Sequence, residues 1–339
     1  MYLSAADAIL PAIRRTRTFL FQPFRLGTYL KLCLVALLTE GLGGNSHFSH
    51  AGGGHHSKPQ GVIAPFHFSP HFNPAWIPAI VAGALLLLAL GLLIGYLITR
   101  LRFAYFHCLI HNSRQIRPGW NLYQTQATRF FWMNVAVGVC FLLTIGIILL
   151  PFATGIGRFA REVQAGMHPD AGAIVALVLP LIPILILIAL AALVGDIILR
   201  DFMLPHYALD NATAAEAWAA VLARIRTQKA PFFVYALLRI VLPIIGAILL
   251  FAILILPGIV YIAVVAMVEV GIHATLGGAG TPLMVLIGLI SVLIAALVGI
   301  CFGGPLSTAT REYALIFYGG RYQRLGDTLF PPPAAPASA

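Results

Sequence analysis

Apolar runs longer than a lipid bilayer is thick dominate this chain. A helix needs about 20 residues to span the hydrocarbon core. Six runs come close to that length or exceed it: about Leu26–Leu42, Trp76–Thr99, Phe130–Phe152, Gly172–Leu199, Pro231–Leu256 and Pro282–Phe302. Lipid offers backbone groups no hydrogen-bond partner, so such runs must close their own bonds as helices. With 60% hydrophobic and 9% charged residues, the chain leaves no polar stretch long enough to bury a core of its own. The expected fold is all-α, a polytopic transmembrane helical bundle forming one domain over residues 1–330. A Pro/Ala tail, 331–339, is expected to be disordered.

Charge sets the threading. The net charge is +10, but the basic residues flank apolar runs, as the positive-inside rule expects. Anionic lipid headgroups are a sufficient reason for them, and nucleic acid is rejected as a partner. The arginine-rich segments are the N-terminus, Arg100–Arg129, Arg200–Lys229 and Arg311–Arg324. Placing all four on the cytoplasmic side requires an even number of crossings. Six spans with cytoplasmic N- and C-termini satisfy this, and a seventh would export Arg311, Arg321 and Arg324. Pro231–Thr275 is too long for one span, and Pro257 with Gly258 is expected to divide it. Gly258–Thr275 then becomes a broken or partly inserted helix. Gly155–Ala171 is expected to be a loop. The expected location is the bacterial cytoplasmic (inner) membrane. Arg14, Arg15 and Arg17 precede the first run without a small-residue cleavage site, so that run is expected to remain as a span.

Residues 1–24 read as an amphipathic entry helix, capped by Ser4 with Asp7 and laying Ile9, Leu10, Ile13, Phe19 and Leu20 on lipid. Residues 100–129 and 200–229 are cytoplasmic linkers. In the second, Thr213 and Glu216 form a capping-box pattern that opens a surface helix. The two linkers resemble each other. Arg100, Phe103, His107, Asn112, Trp120, Arg129 and Phe130 match Arg200, Phe202, His206, Asn211, Trp218, Lys229 and Phe232. Either the unit is duplicated or any basic interfacial linker gathers these residue types. Arg114, Arg117, Arg224 and Arg226 are candidates for lipid-headgroup contact. The pairs Gly91/Gly95 and Gly299/Gly303 offer small-residue faces for helix packing.

Ionisable groups within apolar runs are costly and mark candidate sites. Asp196 and Arg239 fall at similar depth on neighbouring runs, so an ion pair between them is expected. It would fix helix packing or line a substrate or ion path. Glu269 and His273 lie four apart on one helix face, suiting a proton relay or plain interfacial solvation. His47, His50, His55, His56, His67 and His71 crowd the extracytoplasmic loop, 43–75. Such tracts can bind zinc, copper or nickel, or can simply be solvated. The four cysteines lack metal or redox spacing, and no cofactor is expected. No nucleophile-elbow, zinc-protease or phosphate-loop motif occurs, so the chain is not expected to be an enzyme.

The run Asp201–His206, then Glu216, Trp218 and Phe232–Arg239, resembles bacterial six-helix membrane families of unestablished activity, as does Arg311–Arg321. These are loosely similar to the membrane domain attached to some glycerophosphoryl diester phosphodiesterases. The resemblance covers the C-terminal 140 residues or so, and implies six spans in the bacterial cytoplasmic membrane. The phosphodiesterase catalytic domain is absent, so its activity does not carry over. The expected function is that of a non-enzymatic membrane scaffold or accessory subunit contacting lipid headgroups, with another membrane protein as a candidate partner. The alternative is a transporter or channel for a hydrophobic or lipid-like substrate.

Overall fold

The computed structural model describes residues 4–41, 77–164 and 171–331. The tail beyond Pro331, the loop 43–75 and all six of its histidines lie outside them. Helix α1 (Ile9–Phe21) leads through a short turn into α2 (Leu26–Ala36), which continues as a π-helical turn, Leu37–Gly41. Then come α3 (Ile77–Ile110), α4 (Ile116–Leu122) and α5 (Gln124–Gln164). Helix α6 (Ala171–Ile197) widens into a second π-helical turn, Ile198–Met203, before α7 (Leu204–Leu209). Helices α8 (Ala214–Thr227) and α9 (Lys229–Leu276) follow. A 3₁₀ turn at Gly277–Gly280 joins α9 to α10 (Thr281–Gly319), and α11 (Gln323–Leu329) ends the described chain.

Among the described residues, four helical stretches are long and apolar enough to cross a membrane: Ile77–Ile110, Gln124–Gly155, Val178–Leu209 and Lys229–Gly319. The last contains two helices, α9 and α10. This differs from six spans plus a broken helix. Leu26–Gly41 is too short to count by itself. Pro257 does not divide the chain either, because α9 runs through it for 48 residues, about 72 Å at 1.5 Å per residue. A proline removes one backbone bond, whereas ending the helix would orphan a whole turn of donors and acceptors. Of the loop expected at Gly155–Ala171, residues 155–164 are helical as the end of α5, and residues 165–170 lie outside the described residues.

The apolar stretches turn their side chains outward. Leu86, Ile147, Leu187 and Met267 are each about two-thirds exposed or more. The buried core lies instead at the basic end, in the segments that read as linkers. There Phe202, Phe232, Tyr235, Tyr313, Phe317 and Tyr318 pack together. Phe317 stacks on Tyr235 with ring centroids 4.3 Å apart and meets Phe232 edge-on at 5.5 Å. Each linker is too short to form a core alone, but pooled around the helix ends they bury one. Helix α1 contributes Ala12, Thr16, Phe19 and Leu20 to it, leaving only Leu10 and Ile13 of the expected lipid face exposed. Ser4 and Asp7 do bond reciprocally, but in a turn ahead of the helix.

The two matched linkers share geometry. Asn112 and Asn211 both take φ 50°, a left-handed conformation that asparagine tolerates better than most residues. Phe103 meets Phe130, and Phe202 meets Phe232, each pair edge-on at 78°. Each amphipathic helix also packs on the end of the long helix preceding it: α4 on α3 and α8 on the π turn after α6. Helix α1 takes the corresponding place on α10, from the other end of the chain.

Helix α2 and the π turn after it lie along α10 where Gly304 meets Cys33 and Gly303, one half of the expected Gly299/Gly303 face, meets Leu37. A Cβ on Gly304 would stand 2.3 Å from the Cys33 Cβ, whereas one on Gly299 would meet nothing within 4 Å. Gly304→Ala should therefore cost about 1–3 kcal/mol through overpacking, read as a lower melting temperature, with Gly299→Ala close to neutral. Equal melting temperatures for the two variants would contradict this seam. On the other expected face, Gly91 is open and only Gly95 comes near a neighbour, Phe131.

Candidate functional site

The two π-helical turns each carry a buried acid into the basic end. Glu40 sits on the turn after α2, and Asp201 on the turn after α6. A π turn re-aims side chains relative to a regular helix, and such turns recur at functional sites. Asp201 is fully buried and is the hub. It accepts from Arg239 Nε at 2.9 Å, Arg311 Nη1 at 3.0 Å and the Tyr235 hydroxyl at 2.7 Å. Glu40 faces Arg239 Nη2 at 3.4 Å and Arg311 Nε at 3.7 Å. Arg102 donates to the Thr39 carbonyl at 3.0 Å. Arg15 of α1 pairs with buried Glu312 at 3.2 Å.

The expected Asp196–Arg239 pair does not form. Asp196 pairs instead with Arg200, one turn along its own helix, at 2.6 Å. Arg239 is already committed to Asp201 and Glu40. Both expected residues nevertheless line one cavity of about 480 Å³ between α6 and α9. Its floor is ionic: Glu40, Asp196, Arg200, Asp201 and Arg239. Its walls are apolar, with Leu193 and Ile197 on α6, and Ile240 through Phe251 on α9. Elsewhere α2 lies along α10 and α5 along α3, whereas α6 and α9 make little backbone contact. The cavity occupies that open seam.

Other candidates fall outside it. Glu269 and His273 lie on α9 some 30 residues beyond Arg239, about 45 Å away along the helix, and make no side-chain bond among the described residues. Arg114 donates to the carbonyls of Thr18, Gln22 and Pro23, bracing the turn between α1 and α2. Arg224 lies over the Tyr322 ring and bonds the Arg321 carbonyl. These two are structural braces, while Arg117 and Arg226 remain exposed. His206 joins Asp210 at 2.9 Å and the Tyr318 hydroxyl at 2.8 Å. The Thr213/Glu216 capping box forms, and the Thr213 amide holds the Glu216 carboxyl below its ordinary range.

The cavity lining carries carboxylates and guanidiniums but no hydroxyl, thiol or imidazole. Among the described residues no three of His, Cys, Asp and Glu converge as a metal site would. The arrangement suits binding of a charged group with an apolar extension.

Sequence reading missed Asp201 and Arg311 because both fall in polar linkers. One signal was available. Arg200-Asp201-Phe202 recurs, 111 residues later, as Arg311-Glu312-Tyr313, and Tyr207 recurs as Tyr318.

Fold and site together define a class: an all-α protein with membrane-compatible apolar helices and an ionic cleft at their basic end. A family model described as a family of unknown function (DUF7544) matches residues 3–328, and the chain belongs to that family. No curated protein and no solved structure matches it. Nothing in these comparisons links it to the phosphodiesterase membrane domain.

Proposed function

We propose that this is a multi-pass protein of the bacterial cytoplasmic membrane that takes an amphiphile from the bilayer into the cavity between α6 and α9. It binds or moves a lipid-like substrate and performs no covalent chemistry. The observation that carries this reading is the cavity itself, with an ionic floor at the basic end and apolar walls rising into the exposed, apolar part of the molecule. Small-molecule sites combine an apolar lining with a few placed polar groups in this way. A cytoplasmic location for both termini and the basic segments fits the gathering of those segments at one end of the molecule.

Filling the cavity tests the reading. The protein would be purified in native lipid discs and its retained lipid measured by mass spectrometry. Ala247→Trp should lower the retained amphiphile roughly tenfold, equivalent to about 1.4 kcal/mol of binding, without lowering the melting temperature. Unchanged retention with the cavity filled would overturn the proposal.

The scaffold or accessory-subunit reading keeps one specific support, the exposed Arg117 and Arg226 on the basic end. Replacing both with Gln should weaken association of the purified protein with anionic lipid while leaving retention in the cavity unchanged.

A further inference from the structure

We infer that the occupant of the cavity is a phospholipid whose phosphodiester adjoins a hydrogen-bond-donating head, an ammonium or a hydroxyl. This rests on the amphiphile reading above and names its substrate class.

Charge is the first ground. The cavity lining itself holds Arg200 and Arg239 against Glu40, Asp196 and Asp201. Arg311, paired with Asp201 and Glu40 from behind, and Arg102, on the Thr39 carbonyl, bring the wider cluster, among the described residues, to four guanidiniums against three carboxylates. Arg15 and Glu312 beside them cancel. One positive charge is left over in a largely buried cluster, where an uncompensated charge is costly. A phosphodiester brings a single negative charge.

Unspent hydrogen-bonding groups are the second. Arg200 commits only its Nε, to Asp196. Arg239 commits Nε and Nη2, to Asp201 and Glu40. Both Nη groups of Arg200 and Nη1 of Arg239 have no protein partner among the described residues, and both side chains line the cavity. Planar guanidinium forks match phosphate oxygens. Asp196 has the most open side chain of the ion-paired floor, 34% exposed, and spends only Oδ1 on Arg200. An ionised carboxylate can only accept. It would repel a bare anion, but it suits a head that brings its own donor next to the phosphate. Ethanolamine and glycerol heads have such a donor; choline does not.

Length is the third. Arg239 to Phe251 spans 12 residues of α9, about 18 Å of wall, against roughly 15 Å for half a hydrocarbon core. A phosphate seated on the two arginines would lay its acyl chain along that wall.

The test uses the full chain in discs containing equal amounts of phosphatidylethanolamine, phosphatidylglycerol and phosphatidylcholine, followed by detergent exchange and mass spectrometry of the bound lipid. Phosphatidylethanolamine and phosphatidylglycerol should be retained roughly tenfold over phosphatidylcholine. Asp196→Asn should erase most of that preference, bringing phosphatidylcholine to within about twofold of the other two lipids. Phosphatidylcholine retained as well as the others would overturn the head-group inference and leave the amphiphile reading standing. No retained lipid of any kind would overturn both. The competition on the unaltered protein decides the matter even if the variant fails to fold.

Discussion

Asp201→Ala should cost about 3–5 kcal/mol of stability, the usual loss when one partner of a buried ion pair is removed. The side chain is fully buried and is shared by Arg239 and Arg311, with the Tyr235 hydroxyl as a third donor. Without it, Glu40 alone faces both guanidiniums, at 3.4 and 3.7 Å. The uncompensated charge cannot escape to water, because Arg311 is 1% exposed. Asp196→Ala is the control. Its carboxylate is one-third exposed and its single partner, Arg200, lies on its own helix but is 7% exposed, so the loss should be smaller, at about 1–2 kcal/mol. Thermal unfolding of both variants in the same lipid discs separates the cases. Equal shifts would show that Asp201 is not the hub.

Phe317→Ala should be nearly as damaging, at about 3–5 kcal/mol for a large aromatic removed from a packed core. Phe317 is fully buried among Phe202, Phe232 and Tyr235, and Arg321 lies 3.9 Å above its ring. Leu293→Ala provides the contrast. Leu293 sits in the middle of an apolar run, yet it is 70% exposed, and its truncation should leave the melting temperature almost unchanged. Hydropathy alone ranks the two the other way. If Leu293→Ala proved the more destabilising, the core would not lie at the basic end.

The two contrasts show which parts of the molecule were legible in the chain. Long apolar helices follow from composition and run length. The Thr213/Glu216 cap follows from a four-residue pattern, because its two bonds are local. Asp196 and Arg239 were found as costly charges in apolar runs, and both line the cavity. Their partners were not found. Asp201 read as a linker residue, and its pairing with Arg239 and Arg311 bridges 38 and 110 residues. Arg114 and Arg224 read as lipid-facing, and they brace turns instead. No local pattern distinguishes an arginine that meets a headgroup from one that meets a carbonyl 92 residues away.

The sequence by itself determined that the chain is helical, that its apolar stretches are long enough to cross a membrane, and that its arginines gather beside them. These properties are local, additive and set by run length against bilayer thickness. The tertiary structure decided where the core lies, which acid is shared, that α9 continues through Pro257, and that the seam between α6 and α9 stays open. Each of these depends on which distant helix ends meet. That is a question of packing and of pairing charges away from water, and neither is written in any single stretch of the chain.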